Sequence, residues 1–179
     1  GRTVPLTTTS TELATGNYII QAGDTSANLN VIDIPPASVV DSSGYSLLTQ
    51  LPSDNLGSLK NIVIDSEAPT VVSFTTTKPD GLYGPGTTID LTVTMSESVR
   101  AQSQMNVTLN TGAVVRVVAS SAGTTLSGTY TVDGTDSAVD DLSVASYSTI
   151  TVRDAAGNAI VSTALPIYPD NLGDCLLYT

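Results

Sequence analysis

The chain has no histidine and no tryptophan, one cysteine, one phenylalanine and only six basic residues among 179. Without histidine, neither a Ser-His-Asp nor a Cys-His nucleophile can be assembled. A zinc site with histidine ligands is excluded for the same reason. Cys175 stands alone, so it forms no intrachain disulfide and no thiolate cluster; the readings are a free thiol, an interchain link or, the favoured one, a small residue without a bridge. The bases Arg2, Lys60, Lys78, Arg100, Arg116 and Arg153 are scattered against 17 acids, for a net charge of −11. Such a chain offers no basic footprint for nucleic acid and little attraction to anionic lipid. No apolar run approaches the ~20 residues that span a bilayer. No glycine-rich turn leads into a helix, so phosphate-cradling loops are missing. Without tryptophan, surfaces for stacking sugar rings are poor. No signal peptide is recognisable, and Gly1 in place of Met fits a processed or excised segment.

What the chain does have is part of itself twice. Gly16-Asn17-Tyr18 recurs as Gly128-Thr129-Tyr130, 112 positions later (128 − 16). Asp41-Ser42-Ser43-Gly44 recurs as Asp154-Ala155-Ala156-Gly157, 113 later (154 − 41). Asp54-Asn55-Leu56-Gly57 recurs unchanged as Asp170-Asn171-Leu172-Gly173, 116 later (170 − 54). Order is kept and spacing drifts little, which points to tandem copies of a whole domain rather than short solenoid turns. Residues 11–64 match only the second half of the later copy. The expected organisation is therefore residues 1–65 as the C-terminal half of one repeat, incomplete alone, and 66–179 as one complete repeat. A complete copy of this size can bury a core. The half copy lacks strands to cover its inner face and needs another segment or chain.

Helical patterning is almost absent, and threonine, serine and valine dominate. Residues 87–95 alternate polar and apolar, placing Ile89, Leu91, Val93 and Met95 on one face. Met105, Val107 and Leu109 form a second row, Val115, Val117 and Ala119 a third, and Leu126, Gly128, Tyr130 and Val132 a fourth. Turn sequences such as Pro79-Asp80-Gly81, Asn110-Thr111-Gly112 and Asp133-Gly134 separate them. Short strands at this rhythm predict an all-β antiparallel sandwich or barrel. The expected strands lie at 69–76, 87–95, 105–109, 113–119 and 125–132, with a sixth within 141–153 and a last at 174–179. In the half copy the last strand is expected at 58–65. The join at 65–69 is short and stiffened by Pro69.

Four of these segments resemble a known family. Residues 64–71, Ile-Asp-Ser-Glu-Ala-Pro-Thr-Val, are similar to the "VIDTTAPTV" seam of bacterial Ig-like repeats in giant surface adhesins. Residues 88–99 resemble their "TIDITVTFSEPV" strand, Leu109-Asn110-Thr111-Gly112 their "LNTG", and residues 151–159 their "TITDAAGNA". Similar repeats occur in algal surface proteins. The match departs at 174–179, where the last strand differs between the copies. The resemblance implies an Ig-like antiparallel β-sandwich in tandem repeats, extracellular at the cell surface and often rigidified by calcium. The implied role is non-catalytic: a spacer of an adhesin or fibre whose partners are neighbouring repeats or copies of the same chain. A second expectation is the subunit of an extracellular filament, such as a flagellar hair, whose half domain a neighbouring chain completes. A third is a lectin-like ligand-binding module.

Within that fold, the loop after the 87–95 strand, the loop near Asp154 and the incoming join should share one pole. Glu97, Asp154, Asp65 and Glu67 are then candidate calcium ligands, with Asp24 contributed from the preceding copy and oxygens such as that of Asn158 completing the shell. The alternative is that these acids cap turns and face solvent. Asp133, Asp136, Asp140 and Asp141 form a second acidic group at the far pole, the counterpart of Asp24. Asn106-Val107-Thr108 is a candidate glycosylation sequon. Tyr18 and Tyr130 hold one repeat position and are expected to place their rings in the sandwich rather than to bind sugar.

Overall fold

The computed structural model describes residues 1–9, 13–34, 43–46, 50–167, 169–172 and 177–178, the last two by backbone alone. The chain divides into two compact units, Gly1–Glu67 and Ala68–Thr179. Nearly all regular structure is β, and the pairings among the main strands are antiparallel.

Among its described residues the first unit has little regular structure. Strand β1 (Thr7–Thr8) pairs with β2 (Ala14–Thr15), and β3 (Thr25–Ser26) pairs with β4 (Ile64–Asp65), both antiparallel. Between them lies one helical turn, α1 (Leu56–Leu59), capped by the Asn55 side chain, which accepts from the Leu56 amide. The strand expected at 58–65 thus forms only at Ile64–Asp65, because 58 and 59 belong to α1. Among the described residues of this unit, only Ile64 is buried. Asparagine side chains do the tying instead. Asn28 Nδ2 donates to Gly57 O, Gly57 N to Asn30 Oδ1, and Asn55 Nδ2 to Val31 O.

The second unit holds the core. Its strands are β5 (Val71–Thr75), β6 (Gly81–Leu82), β7 (Thr88–Val99), β8 (Gln104–Leu109), β9 (Val114–Val118), β10 (Gly123–Thr131), β11 (Val144–Thr149) and β12 (Leu177–Tyr178). Six of them form one sheet in the order β11-β8-β9-β10-β7-β5, while β12 pairs in parallel with β6. The expected strands at 69–76, 87–95, 105–109, 113–119 and 125–132 are all present, with shifted ends. The sixth is β11; of the last, 174–179, only Leu177–Tyr178 lies among the described residues. Every apolar row read from the sequence faces inward: Ile89, Leu91, Val93, Met95, Met105, Val107, Leu109, Val115, Val117, Ala119, Leu126, Tyr130 and Val132 are all buried. Alternate side chains point to opposite faces of a strand, so one covered face buries alternate residues.

The sheet folds back on itself. β9 and β10 share a single register pair, Ser127↔Val118, so the sheet bends there and encloses the core. Gly128 permits the close approach, since a Cβ on it would lie 2.5 Å from the Arg116 carbonyl oxygen. The two ends of the strand order meet across the core. Phe74 of β5 packs its ring 5.8 Å from that of Tyr147 of β11. Residues 170–172 bridge the same ends. Phe74 N donates to Asp170 O and Leu172 N to Phe74 O, while the Asn171 amide exchanges hydrogen bonds with the backbone of Val144.

Candidate functional site

In β7 the inward row of Ile89, Leu91, Val93 and Met95 continues through Glu97 to Val99. Glu97 thereby takes a core-side register at the strand's end and is half-buried. Opposite, the pairing of β7 with β10 skips from Thr94 to Val99, so the strand is irregular where Glu97 sits. Val99 bridges Asp154, and Arg100 N donates to Arg153 O. This brings Asp154 beside the end of β7, with carboxylate oxygens of Glu97 and Asp154 within 4.8 Å of each other.

Asp154 is 1 % exposed. Its Oδ1 accepts from the amides of Gly157 and Asn158 at 2.6 and 2.8 Å, and its Oδ2 from Asn158 Nδ2 at 2.7 Å. Burial pushes its pKa up, but the hydrogen bonds from Asn158 and Gly157 and the charge of Arg100 outweigh burial and hold the carboxyl below its ordinary range. Gly157 makes the turn possible with φ +104°. Two guanidiniums brace the loop, Arg100 donating to Ala155 O and Arg153 to Gly157 O, both at 2.8 Å. Asp154 is thus an organising turn residue, and Arg100 supplies positive charge beside it.

The other candidate ligands lie in the first unit. Asp65 is the last residue of β4, and its Oδ1 accepts from the Glu67 amide. Thr25, which follows Asp24, is the register partner of Asp65, and Ser66 Oγ donates to Asp24 O. The Asp24 carboxylate itself accepts from Gln21 N, Arg2 Nε and Tyr18 Oη. These bonds hold its pKa low, the Gln21 amide most of all.

The far acidic group separates by role. Asp133 accepts from the Thr135 hydroxyl and amide, which keep its pKa low. Asp136 accepts from Tyr130 Oη at 2.6 Å and Asp133 N at 2.8 Å. Asp140 is exposed. Asp141 keeps one buried oxygen without a hydrogen-bond partner, and burial, aided by the charge of Asp80, raises its pKa. Asn106 lies mid-strand in β8, half-buried, opposite Arg116 on one side and Ser148 on the other.

Sequence reasoning missed the bond made by the repeated tyrosines. Tyr18 Oη donates to Asp24 Oδ2, which also accepts from Gln21 N. Tyr130 Oη donates to Asp136 Oδ2, which also accepts from Asp133 N. Each corner has a tyrosine, an amide three residues on, and an aspartate six on. The spacing was available as a signal, since Tyr-x5-Asp occurs at both positions.

Other local geometries recur with it. The pair Thr7↔Thr15 has its parallel in Val118↔Ser127. A Cβ on Gly16 would lie 2.4 Å from Pro5 O, as one on Gly128 would from Arg116 O at 2.5 Å. Asn55 donates to Val31 O as Asn171 does to Val144 O. No protein-family model, curated protein or solved structure matches the chain. Among the described residues no helix is long and apolar enough to cross a membrane.

Proposed function

We propose that the chain is a non-catalytic segment of an extracellular surface protein, built from tandem Ig-like repeats that act as a spacer in an adhesin or fibre. The observation that carries this reading is the recurrence, in the same order, of the tyrosine corner, the close glycine crossing and the asparagine tie to Val31 or Val144. The asparagine tie joins residues 24 and 27 positions apart in the two places, and together the three support one domain design used twice. Repeating a domain adds length and attachment points without building a cleft. The acidic surface fits a solvated extracellular module, and the core of the second unit fits a domain that unfolds as one body.

Immunolabelling of intact cells of the source organism tests the location. Labelling that mild external protease removes is the expected result; signal confined to the cell interior would remove the surface assignment. Stretching the full chain in a force experiment tests the spacer role. The second unit should unfold in one event and release roughly 3.3–3.6 Å of contour per residue. Gradual extension without that event would exclude a load-bearing role.

Calcium is the cation this reading assigns to Glu97 and Asp154, with backbone oxygens completing the shell. Because Arg100 already offsets one of the two charges, the gain should be modest. Millimolar calcium should raise the melting temperature above that in excess chelator, and equal melting temperatures would remove calcium from the account.

A further inference from the structure

The first unit presents apolar side chains at positions that the second unit buries. Matching the two by the recurrent geometries sets Leu6 against Val117, Ile20 against Val132, and Val31 against Val144. Leu6, Ile20 and Val31 are 65, 52 and 42 % exposed, whereas Val117, Val132 and Val144 are 0, 4 and 2 % exposed. The composition of these positions is therefore that of a core, but in the first unit nothing among the described residues covers them.

The second unit identifies what the cover is. Val117, Val132 and Val144 belong to one cluster with Phe74 of β5, Ile89, Leu91 and Val93 of β7, and Met105 and Val107 of β8. The backbone is completed by the same strands, since β10 pairs with β7 along Thr88–Val99 and β11 pairs with β8. In the first unit, the counterparts of β10 and β11 have no such neighbour among the described residues, and only Ala14–Thr15 forms a strand there. Strand edges of this kind are templates for pairing.

The repeated tetrapeptide carries a second sign of the missing cover. Asn171 bridges Phe74 in parallel, and Leu172, turned into the left-handed region at φ +59°, donates its amide to Phe74 O. In the identical Asp54-Asn55-Leu56, the Leu56 amide is instead occupied by its own Asn55 cap, and α1 follows with no buried residue. An isolated single turn is marginal, because nucleation costs more than one turn returns.

We propose that the first unit is a strand-acceptor site. Its occupant is a polypeptide segment with the alternating pattern of β5, β7 and β8, supplied from outside these 179 residues. This deepens the reading above, on which it rests, by naming the partner that the incomplete copy takes. The chain's own β5–β8 block already fills the second unit. A second copy of the chain could donate that block only by baring its own core, so exchange between copies gains nothing. Docking buries Leu6, Ile20 and Val31, pairs the open edge, and takes the Leu56 amide from its Asn55 cap as Phe74 takes that of Leu172. Main-chain pairing supplies affinity and alternate side chains supply specificity.

The test adds a synthetic polypeptide of the sequence of residues 68–112 to the full chain and follows amide exchange. The expected result is at least about tenfold slower exchange over residues 14–20 and 29–34, a gain corresponding to ~1.4 kcal/mol of local stability. Exchange within the second unit should be unchanged. The double variant L6D/I20D should lose the effect, and because both side chains are exposed its second unit should melt as before. A donor with Val93→Asp should also fail. Three results would overturn the proposal: slow exchange over 14–20 without donor, no protection at saturating donor, or concentration-dependent dimerisation of the chain alone. None of these bears on surface labelling, so the spacer reading stands or falls separately.

Discussion

Replacing Tyr130 with phenylalanine deletes the hydroxyl that donates to Asp136 Oδ2 over 2.6 Å while keeping the buried ring. Hydrogen bonds to a charged acceptor contribute about 1.5–3 kcal/mol. The lower part of that range applies here, because Asp136 Oδ2 keeps the Asp133 amide and is not orphaned. At ~4 °C per kcal/mol for a domain near this size, the main melting transition should fall by about 6–8 °C. The same bond makes a pH prediction. Burial first, and then the hydrogen bond to Asp136, push the Tyr130 pKa up to about 12 from 10.0. Folding therefore favours the protonated phenol. That contribution is complete below the ordinary tyrosine pKa and is lost as pH rises through about 12. Two units at 1.36 kcal/mol each set an upper bound of ~2.7 kcal/mol. Tyr147 is also raised, by burial, so Y130F should reduce the alkaline loss rather than abolish it. Thermal melts followed by circular dichroism from pH 7 to 12 measure both effects. Y18F is the internal control: it removes the matching bond from a unit in which only Ile64 is buried among the described residues, so the main transition should not move. An unchanged transition in Y130F, or an alkaline limb equal to that of the parent, would refute the reasoning.

Four further outcomes follow from packing and charge. Gly128→Ala should destabilise the second unit by ~1–3 kcal/mol, because the new methyl meets the Arg116 backbone oxygen rather than a movable side chain; denaturant melts read this directly. Phe74→Ala should cost about 3–5 kcal/mol, since Phe74 is fully buried against Tyr147. Leu6→Ala, at a largely exposed site, should stay within about 0.5 kcal/mol. Asp154→Asn should lower stability at neutral pH and flatten the acid limb. The depressed Asp154 pKa contributes stability above the ordinary aspartate value, lost as pH falls through the folded value; an acid limb as steep as the parent's would count against this account.

Much of the second unit could be read from residue order. A strand covered on one side buries alternate residues, so the rows in β7, β8, β9 and β10 announced both the strands and the faces they turn to the core. The carboxylate pair was legible only in part. Sequence motifs singled out Glu97 and Asp154, but alternation alone does not say that a bend would bring the Asp154 loop beside Val99. Nor does it say that Arg100 would brace that loop, because its bond to Ala155 O joins residues 55 positions apart.

Residue order by itself determined that the regular structure among the described residues is nearly all β, and it shows three short segments recurring in order, because side-chain alternation and turn residues act locally. Tertiary structure alone decided what each unit does with the segments they share. The sharpest case is Asp-Asn-Leu-Gly, whose four residues are identical at 54 and 170. The Leu172 amide is taken by the backbone of Phe74, with Leu172 left-handed at φ +59°, whereas Leu56 turns onto its own Asn55 cap and starts α1. A backbone amide must find an acceptor. Which acceptor it finds depends on the strand beside it, and that strand is not written in the tetrapeptide.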